Sequence, residues 1–211
     1  MMAPSPPTKS SVLPYSNVAH GPCPSRTKPR GFTLVELMGV VLIIGVLSVM
    51  AAVGYRRLIA SSHVTEATSN VGAIRLAQEN YKSEVLRYAK VSASLATTSY
   101  YPSDGSTGNK IAWGAACGTA CTGGSEPTWT DFPFRPDAPV KFGYATIAGR
   151  AGVAPSPASV SVNGQAMAFP TSPTAEWYIV AARVDLDGNG TFCNVYSSSF
   201  DGRILVDNDG E

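Results

Sequence analysis

Residues 30–55 read RGFTLVELMGVVLIIGVLSVMAAVGY. The stretch is almost wholly apolar, yet it carries one carboxylate, Glu36, near its start. From Leu37 to Tyr55 no residue is charged. At ~1.5 Å per residue such a run, wound as a helix, just crosses a hydrocarbon core of ~30 Å. An acid at the head of such a run is costly and calls for a partner or a function. No cationic side chain lies within the run to neutralise it.

Upstream, residues 1–31 hold Lys9, Arg26, Lys28 and Arg30 and no acid, while the whole chain carries a net charge of only +1. The remainder is therefore acidic. A basic leader before an apolar run marks a membrane-targeted segment. Arg56 and Arg57 close the run. The leader cations outnumber them, which puts the N-terminus on the cytoplasmic side. An acidic remainder rich in Gly, Ser, Thr and Pro excludes a general nucleic-acid binder. Two simpler readings fit the run alone. One is a secretory signal peptide cut near Val49-Met50-Ala51, and the other is an uncleaved single-span anchor. Neither explains Glu36.

Downstream, Ala67, Val71, Ile74, Ala77, Tyr81, Val85 and Tyr88 recur at helical spacing, and no Pro interrupts the chain between Phe32 and Tyr101. One helix is expected from about Thr33 to about Lys90, apolar all round at first and one-sided afterwards. Gly54 is expected to loosen it, since each Gly weakens a helix by ~1 kcal/mol relative to Ala. Glu66, Arg75, Glu79, Lys82 and Arg87 lie off the stripe and read as solvated or intersubunit positions.

Residues 92–139 mix Gly, Pro, Ser and Thr with scattered aromatics and read as a long irregular connection. The last part reads as strands at Val140–Ile147, Ala158–Val162, Gln165–Phe169, Trp177–Val184, Thr191–Ser198 and Arg203–Val206. Asn163-Gly164 is a two-residue hairpin signal. Trp177–Val184 is apolar enough to be central. The expected fold class is α+β: a long N-terminal helix packed on a C-terminal antiparallel β-sheet. The expected divisions are 1–31 (leader), 32–55 (membrane segment), 56–91 (amphipathic helix), 92–139 (αβ-loop) and 140–211 (sheet and C-terminal region).

Gly31-Phe32-Thr33-Leu34-Val35-Glu36 resembles the type IV prepilin signature, and the likeness extends through Leu37-Met38, Val40-Val41, Ile43-Ile44-Gly45 and Tyr55. The resemblance implies the type IV pilin fold. It implies cleavage after Gly31 by a membrane-embedded prepilin peptidase, which also methylates the new amine of Phe32. It implies that Glu36 serves assembly, its carboxylate facing the Phe32 amine of a neighbouring subunit. Many relatives carry Pro where this chain has Val53. The implied protein is a structural subunit, a major or minor pilin of a bacterial type IV pilus used for adhesion, motility or uptake. Its partners would be other copies of itself, the peptidase/N-methyltransferase, an inner-membrane assembly platform and the inner membrane before assembly. The globular part would face the periplasm, and the assembled chain a cell-surface pilus. A pseudopilin of a type II secretion system shares every N-terminal feature and is the alternative. An unprocessed single-span periplasmic protein that binds calcium or another ligand is a further one, and a secreted β-rich enzyme is the last.

Four cysteines occur, Cys23 in the leader and Cys117, Cys121 and Cys193 beyond it. A disulfide among the last three suits an oxidising compartment. A zinc site would need a further ligand, and His63 is the one histidine outside the leader. Asp185-Leu186-Asp187-Gly188-Asn189-Gly190-Thr191 matches the first half of a calcium loop. Tyr196 stands where an EF-hand would place its bidentate Glu. Asp185, Asp187 and Asn189 are thus candidate Ca²⁺ ligands, set against a Gly/Asn/Asp turn that needs no metal. No cofactor is required. With no Walker loop and no His placed beside a Ser or Cys nucleophile, an enzyme is not expected.

Overall fold

The computed structural model describes residues 31–114 and 126–209. Residues 1–30 of the expected leader and both Cys117 and Cys121 lie outside the described residues.

The chain divides into two units, which meet in sequence at Gly45 and Val46. In the first, helix α1 (Leu34–Val85) begins directly after Thr33. Phe32, Leu34 and Val35 are three-quarters exposed or more, and the most apolar window of α1 is wholly unburied within the chain. By length and composition α1 can cross a membrane.

In the second unit α1 continues through Gly54 without a break. From Val64 onward one face sinks into a core: Val64, Ala67, Val71, Ile74 and Ala77 are buried. They pack with Phe142, Tyr144, Tyr178, Val180, Ala182, Val184 and Val195. Apart from Phe142, which directly precedes it, those partners come from a four-stranded antiparallel sheet in the order β1-β4-β5-β6. Its strands are β1 (Gly143–Gly149), β4 (Trp177–Val184), β5 (Cys193–Ser198) and β6 (Ile204–Asp207). Strand β4 is central and apolar at nearly every position because both of its faces are covered. Alternation sends Tyr178, Val180, Ala182 and Val184 to the helix. It sends Trp177, Ile179 and Ala181 to a second layer made with Val160, Phe169, Tyr100 and Tyr196.

The Asn163-Gly164 signal is realised as a hairpin of β2 (Ser159–Val162) and β3 (Gln165–Ala168), with φ of 51° and 74° at the turn. Positive φ at both turn positions matches the strand twist and suits Asn-Gly. The hairpin forms a separate two-stranded sheet instead of joining the main one. Asn163 N–H donates to Asp207 Oδ1 at 2.6 Å, tying the turn to β6.

Two expectations need correction. The helix stops at Val85, short of the expected end near Lys90, because Leu86 turns left-handed with φ 61°. Tyr88 had extended the helical stripe in sequence. It instead folds back, its ring 4.7 Å from that of Tyr178 and its hydroxyl donating to Glu79 at 3.1 Å. The described residues of that connection, 92–114 and 126–139, are also more ordered than an irregular connection. They hold a 3-10 turn at Thr97–Ser99, and the chain then runs along the outer edge of β1. Tyr101 and Tyr144 exchange backbone hydrogen bonds of 2.8 and 2.7 Å, and Ile111 pairs likewise with Val140. An edge strand is thereby covered.

Aromatic rings hold that segment. Trp113 stands edge-on to Tyr101, Trp129 and Phe134 at 4.8, 5.4 and 5.1 Å. The Arg135 guanidinium donates to the carbonyls of Trp129, Phe132 and Phe134 at 2.9, 2.8 and 2.7 Å, and to that of Thr130. Gly105, at φ +75°, lies so close to Arg183 that a Cβ would overlap its carbonyl oxygen.

Candidate assembly segment and acidic turn

Thr33 and Glu36 form a reciprocal cap on α1. Thr33 Oγ1 accepts the Glu36 N–H at 3.2 Å. Thr33 N–H and its hydroxyl approach Glu36 Oε2 at 3.4 and 3.3 Å. The pattern is a capping box, Thr-x-x-Glu, in which two otherwise orphaned N–H groups are satisfied. The first turn also carries the positive end of the helix dipole, which favours a carboxylate there. Glu36 therefore has a partner within its own chain, a role that the composition of the apolar run did not suggest. The Thr-x-x-Glu spacing was the available signal.

Gly31 and Phe32 lie immediately before this cap, with the Phe32 side chain 83% exposed. A free amine at Phe32 would stand beside the Thr33–Glu36 pair, at the helix start. The exposed apolar face of α1 beyond it, from Leu37 to Ile59, is far larger than a soluble monomer leaves uncovered.

The remaining candidate residues lie in the second unit. Cys193 begins β5 and is fully buried in the core shared with α1. The acidic turn closes on itself. Asp185 is buried, and its Oδ1 and Oδ2 accept the N–H groups of Gly188 and Gly190 at 2.7 and 2.9 Å. Asp187 Oδ1 and Oδ2 accept the backbone and side-chain N–H of Asn189 at 3.0 and 2.9 Å, and Asn189 Oδ1 accepts the Thr191 N–H at 2.6 Å. Burial pushes the Asp185 carboxyl up, but the amides of Gly190, Gly188 and Asn189 outweigh it and hold the group below the usual Asp range. Each of the three side chains thus spends its oxygens on the turn's own N–H groups, the arrangement of a nested Asx turn. Among the described residues no group of three His, Cys, Asp or Glu side chains is placed to hold a metal. His63 sits on α1, its pKa lowered by burial and then by Lys141, with Glu66 at 3.9 Å opposing that.

Two positions read as solvated have internal work. Arg75 donates to the Gly202 carbonyl at 2.8 Å, and Glu79 holds Tyr88. The sequence pattern also passed over Gln78, which is fully buried. Its Nε2 donates to the Ala89 carbonyl and to Thr146 Oγ1 at 2.8 and 2.9 Å, and its Oε1 accepts the Ala89 N–H at 2.9 Å.

Together these features define an α+β protein whose first helix combines a capped acid with a membrane-length apolar run. Residues 26–52 match the prokaryotic N-terminal methylation motif. The chain is 45% identical over 67 residues to the type IV major pilin protein PilA of Myxococcus xanthus, covering 31% of this chain and 30% of that protein. It is 48% identical over 52 residues to a probable minor fimbrial protein of Dichelobacter nodosus, covering 25% and 33%. A fimbrial protein of Pseudomonas aeruginosa is 47% identical over 51 residues, covering 24% and 33%. No solved structure matches. Over its N-terminal segment the chain is similar to type IV pilins and fimbrial proteins. It spans about a third of the length of the curated relatives it matches.

Proposed function

We propose that the chain is a structural subunit, a major or minor pilin, of a bacterial type IV pilus. The observation that carries this reading is the helix start: a capped carboxylate, Glu36, heading an apolar run that none of the described residues covers. In the membrane, lipid covers that run; in a filament, the helices of other subunits do. The precursor sits in the inner membrane with residues beyond Tyr55 in the periplasm. The prepilin peptidase cuts after Gly31 and methylates Phe32, and the assembly platform lifts the subunit into the polymer. There the Phe32 amine of one subunit meets Glu36 of another. Either charge left alone in an apolar core is strongly unfavourable, so the pair checks register while apolar packing supplies most of the cohesion. The Thr33–Glu36 cap gives the carboxylate a partner before a neighbour arrives.

Relatives named as major pilin and minor fimbrial proteins support the pilus reading, and a pseudopilin of a type II secretion system, which shares the N-terminal features, is the alternative. No catalytic role and no cofactor enters this reading. The acidic turn serves as a strand connection, and a calcium titration of the full chain that produced neither heat nor a shift in melting temperature would agree.

The test is the N-terminus of the mature chain together with the phenotype of Glu36→Ala. N-methylated Phe32 is expected, and the variant is expected to be cut yet absent from sheared filaments. A mature chain starting at Met1 would mean an unprocessed anchor, and one starting near Ala52 a secreted protein. Filament yield unchanged by Glu36→Ala would sink the register argument.

A further inference from the structure

An open helical polymer is built from heterologous contacts, in which two different patches of each subunit meet. The second unit carries two such patches, at opposite ends of its sheet. Strand pairing sets their places. Gly149 pairs with Trp177 at one end, whereas Val184 pairs with Cys193, and Asn194 with Asp207, at the other. Eight residues of β4, at ~3.3 Å each, separate the ends by ~25 Å.

At the Gly149–Trp177 end a cleft is lined by Arg87, Lys90 and Arg150 together with Glu126 and Glu176. Cations outnumber acids there. Arg87 and Glu126 face each other at 4.0 Å. Glu176 Oε2 is sealed from water and has no hydrogen-bond partner among the described residues, a costly state for a carboxylate oxygen. Exposed apolar side chains flank the cleft in sequence: Val85 and Leu86 before Arg87, and Val153 in the turn that follows Arg150. Leu86 is 81% exposed although it fills a left-handed helix-cap position that ordinarily belongs to Gly.

At the far end the acids dominate. Asp104, Asp185, Asp187, Asp207 and Asp209 outnumber Lys110, Lys141 and Arg183, and Asp187 and Asp209 are exposed. The exposed Asp187 carboxylate accepts hydrogen bonds from Asn189, and a carboxylate has acceptor sites for about four donors. Exposed Thr191 carries a hydroxyl of the kind that Glu176 Oε2 lacks.

We infer that the cleft of Arg87, Lys90 and Arg150 docks the Asp187 turn of a second copy of this chain, head to tail, adding a charged contact between the sheet-bearing units of neighbouring subunits. The inference rests on the pilin reading above. Contacts between charges near a surface set register and suppress wrong pairings more than they add affinity. They are also screened by salt, with a Debye length of ~8 Å at physiological ionic strength.

The test uses the full chain in its own cells, with filaments sheared and purified. Arg150→Cys combined with Asp187→Cys is expected to give a ladder of disulfide-linked subunits on oxidation, absent from either single variant. Arg150→Glu is expected to lower filament yield at least tenfold, and adding Asp187→Lys to recover most of the loss. Lys90→Glu, on an exposed side chain outside the sheet, serves as the second variant should Arg150→Glu reduce subunit levels. Filaments that assemble normally with Arg150→Glu and Lys90→Glu, and show no ladder with the cysteine pair, would overturn the docking while leaving the pilin reading intact. A wild-type chain that is neither cut at Gly31 nor polymerised would instead remove the reading on which the docking stands.

Discussion

Thr33 and Glu36 hold each other across the first turn of α1, the Thr oxygen 3.2 Å from the Glu amide and a Glu oxygen 3.3 Å from the Thr hydroxyl. The same acid that is expensive in the middle of an apolar run is favourable at a helix start, where unpaired N–H groups and the dipole meet it. Thr33→Ala should loosen this turn by ~1 kcal/mol, and Thr33→Ser should keep it intact. Hydrogen exchange of the Glu36 amide, in full-length chain held in detergent micelles, reads the difference. Equal protection in all three proteins would refute the cap.

Gln78 joins α1 to the turn that follows it and to β1. Replacing it with Met keeps the volume but strands the Ala89 N–H and carbonyl in a buried site. Each unsatisfied buried group costs ~1–3 kcal/mol, so a loss of ~3 kcal/mol is expected. Urea unfolding of the full chain in detergent measures it; a change below ~1 kcal/mol would show that the three bonds are not made.

Trp129 is fully buried, 5.4 Å from the ring of Trp113 and 5.9 Å from that of Phe132. Trp129→Ala should cost ~3–5 kcal/mol by leaving a cavity. Because its indole N–H has no acceptor among the described residues, Trp129→Phe should be much milder. Thermal melts of both variants test this ordering, and equal losses would mean that the indole nitrogen matters more than ring packing.

Asp185 should make the fold acid-sensitive. Its folded pKa lies below the ordinary 3.8. The unfolded chain then binds more protons in the interval between the two values, so stability rises with pH there. The contribution is fully present above 3.8 and is lost as pH falls through the folded value. Asp104, Asp131 and Asp201 are lowered too, by bonds from Ser106, Thr128 and Arg203 respectively. The difference between wild type and Asp185→Asn therefore isolates the turn. The variant should melt lower at neutral pH, and the gap should close on acidification. A gap constant across that interval would indicate that Asp185 is not held by the amides.

Parts of the fold were legible for identifiable reasons. Strand β4 announced itself because burial on both faces demands an unbroken apolar run, and Asn163-Gly164 because few residues tolerate two successive positive φ values. The end of α1 was not legible. Tyr88 keeps the helical period, and only its contacts with Tyr178 and Glu79 reveal that the chain has already turned at Leu86. The ring contacts among Tyr101, Trp113, Trp129 and Phe134 were equally hidden, since these residues are far apart in sequence and meet only in space. Likewise the acidic turn and a half calcium loop share one spelling. In the folded chain Asp185 accepts the amides of Gly188 and Gly190, an arrangement that sequence spacing does not show.

By itself the sequence determined the local features: a membrane-length apolar helix, the acid at its head, the cleavage-type motif before it and the strands that follow. Periodicity, propensity and motif spacing act over a few residues and can be read in a line. Only the tertiary structure decided where the helix ends, which rings tie the connection down and how Gln78 is satisfied. It also separated the cationic cleft from the acidic turn by the length of a strand. Those outcomes depend on contacts between residues distant in the chain, whose energies exist only once the sheet has brought them together.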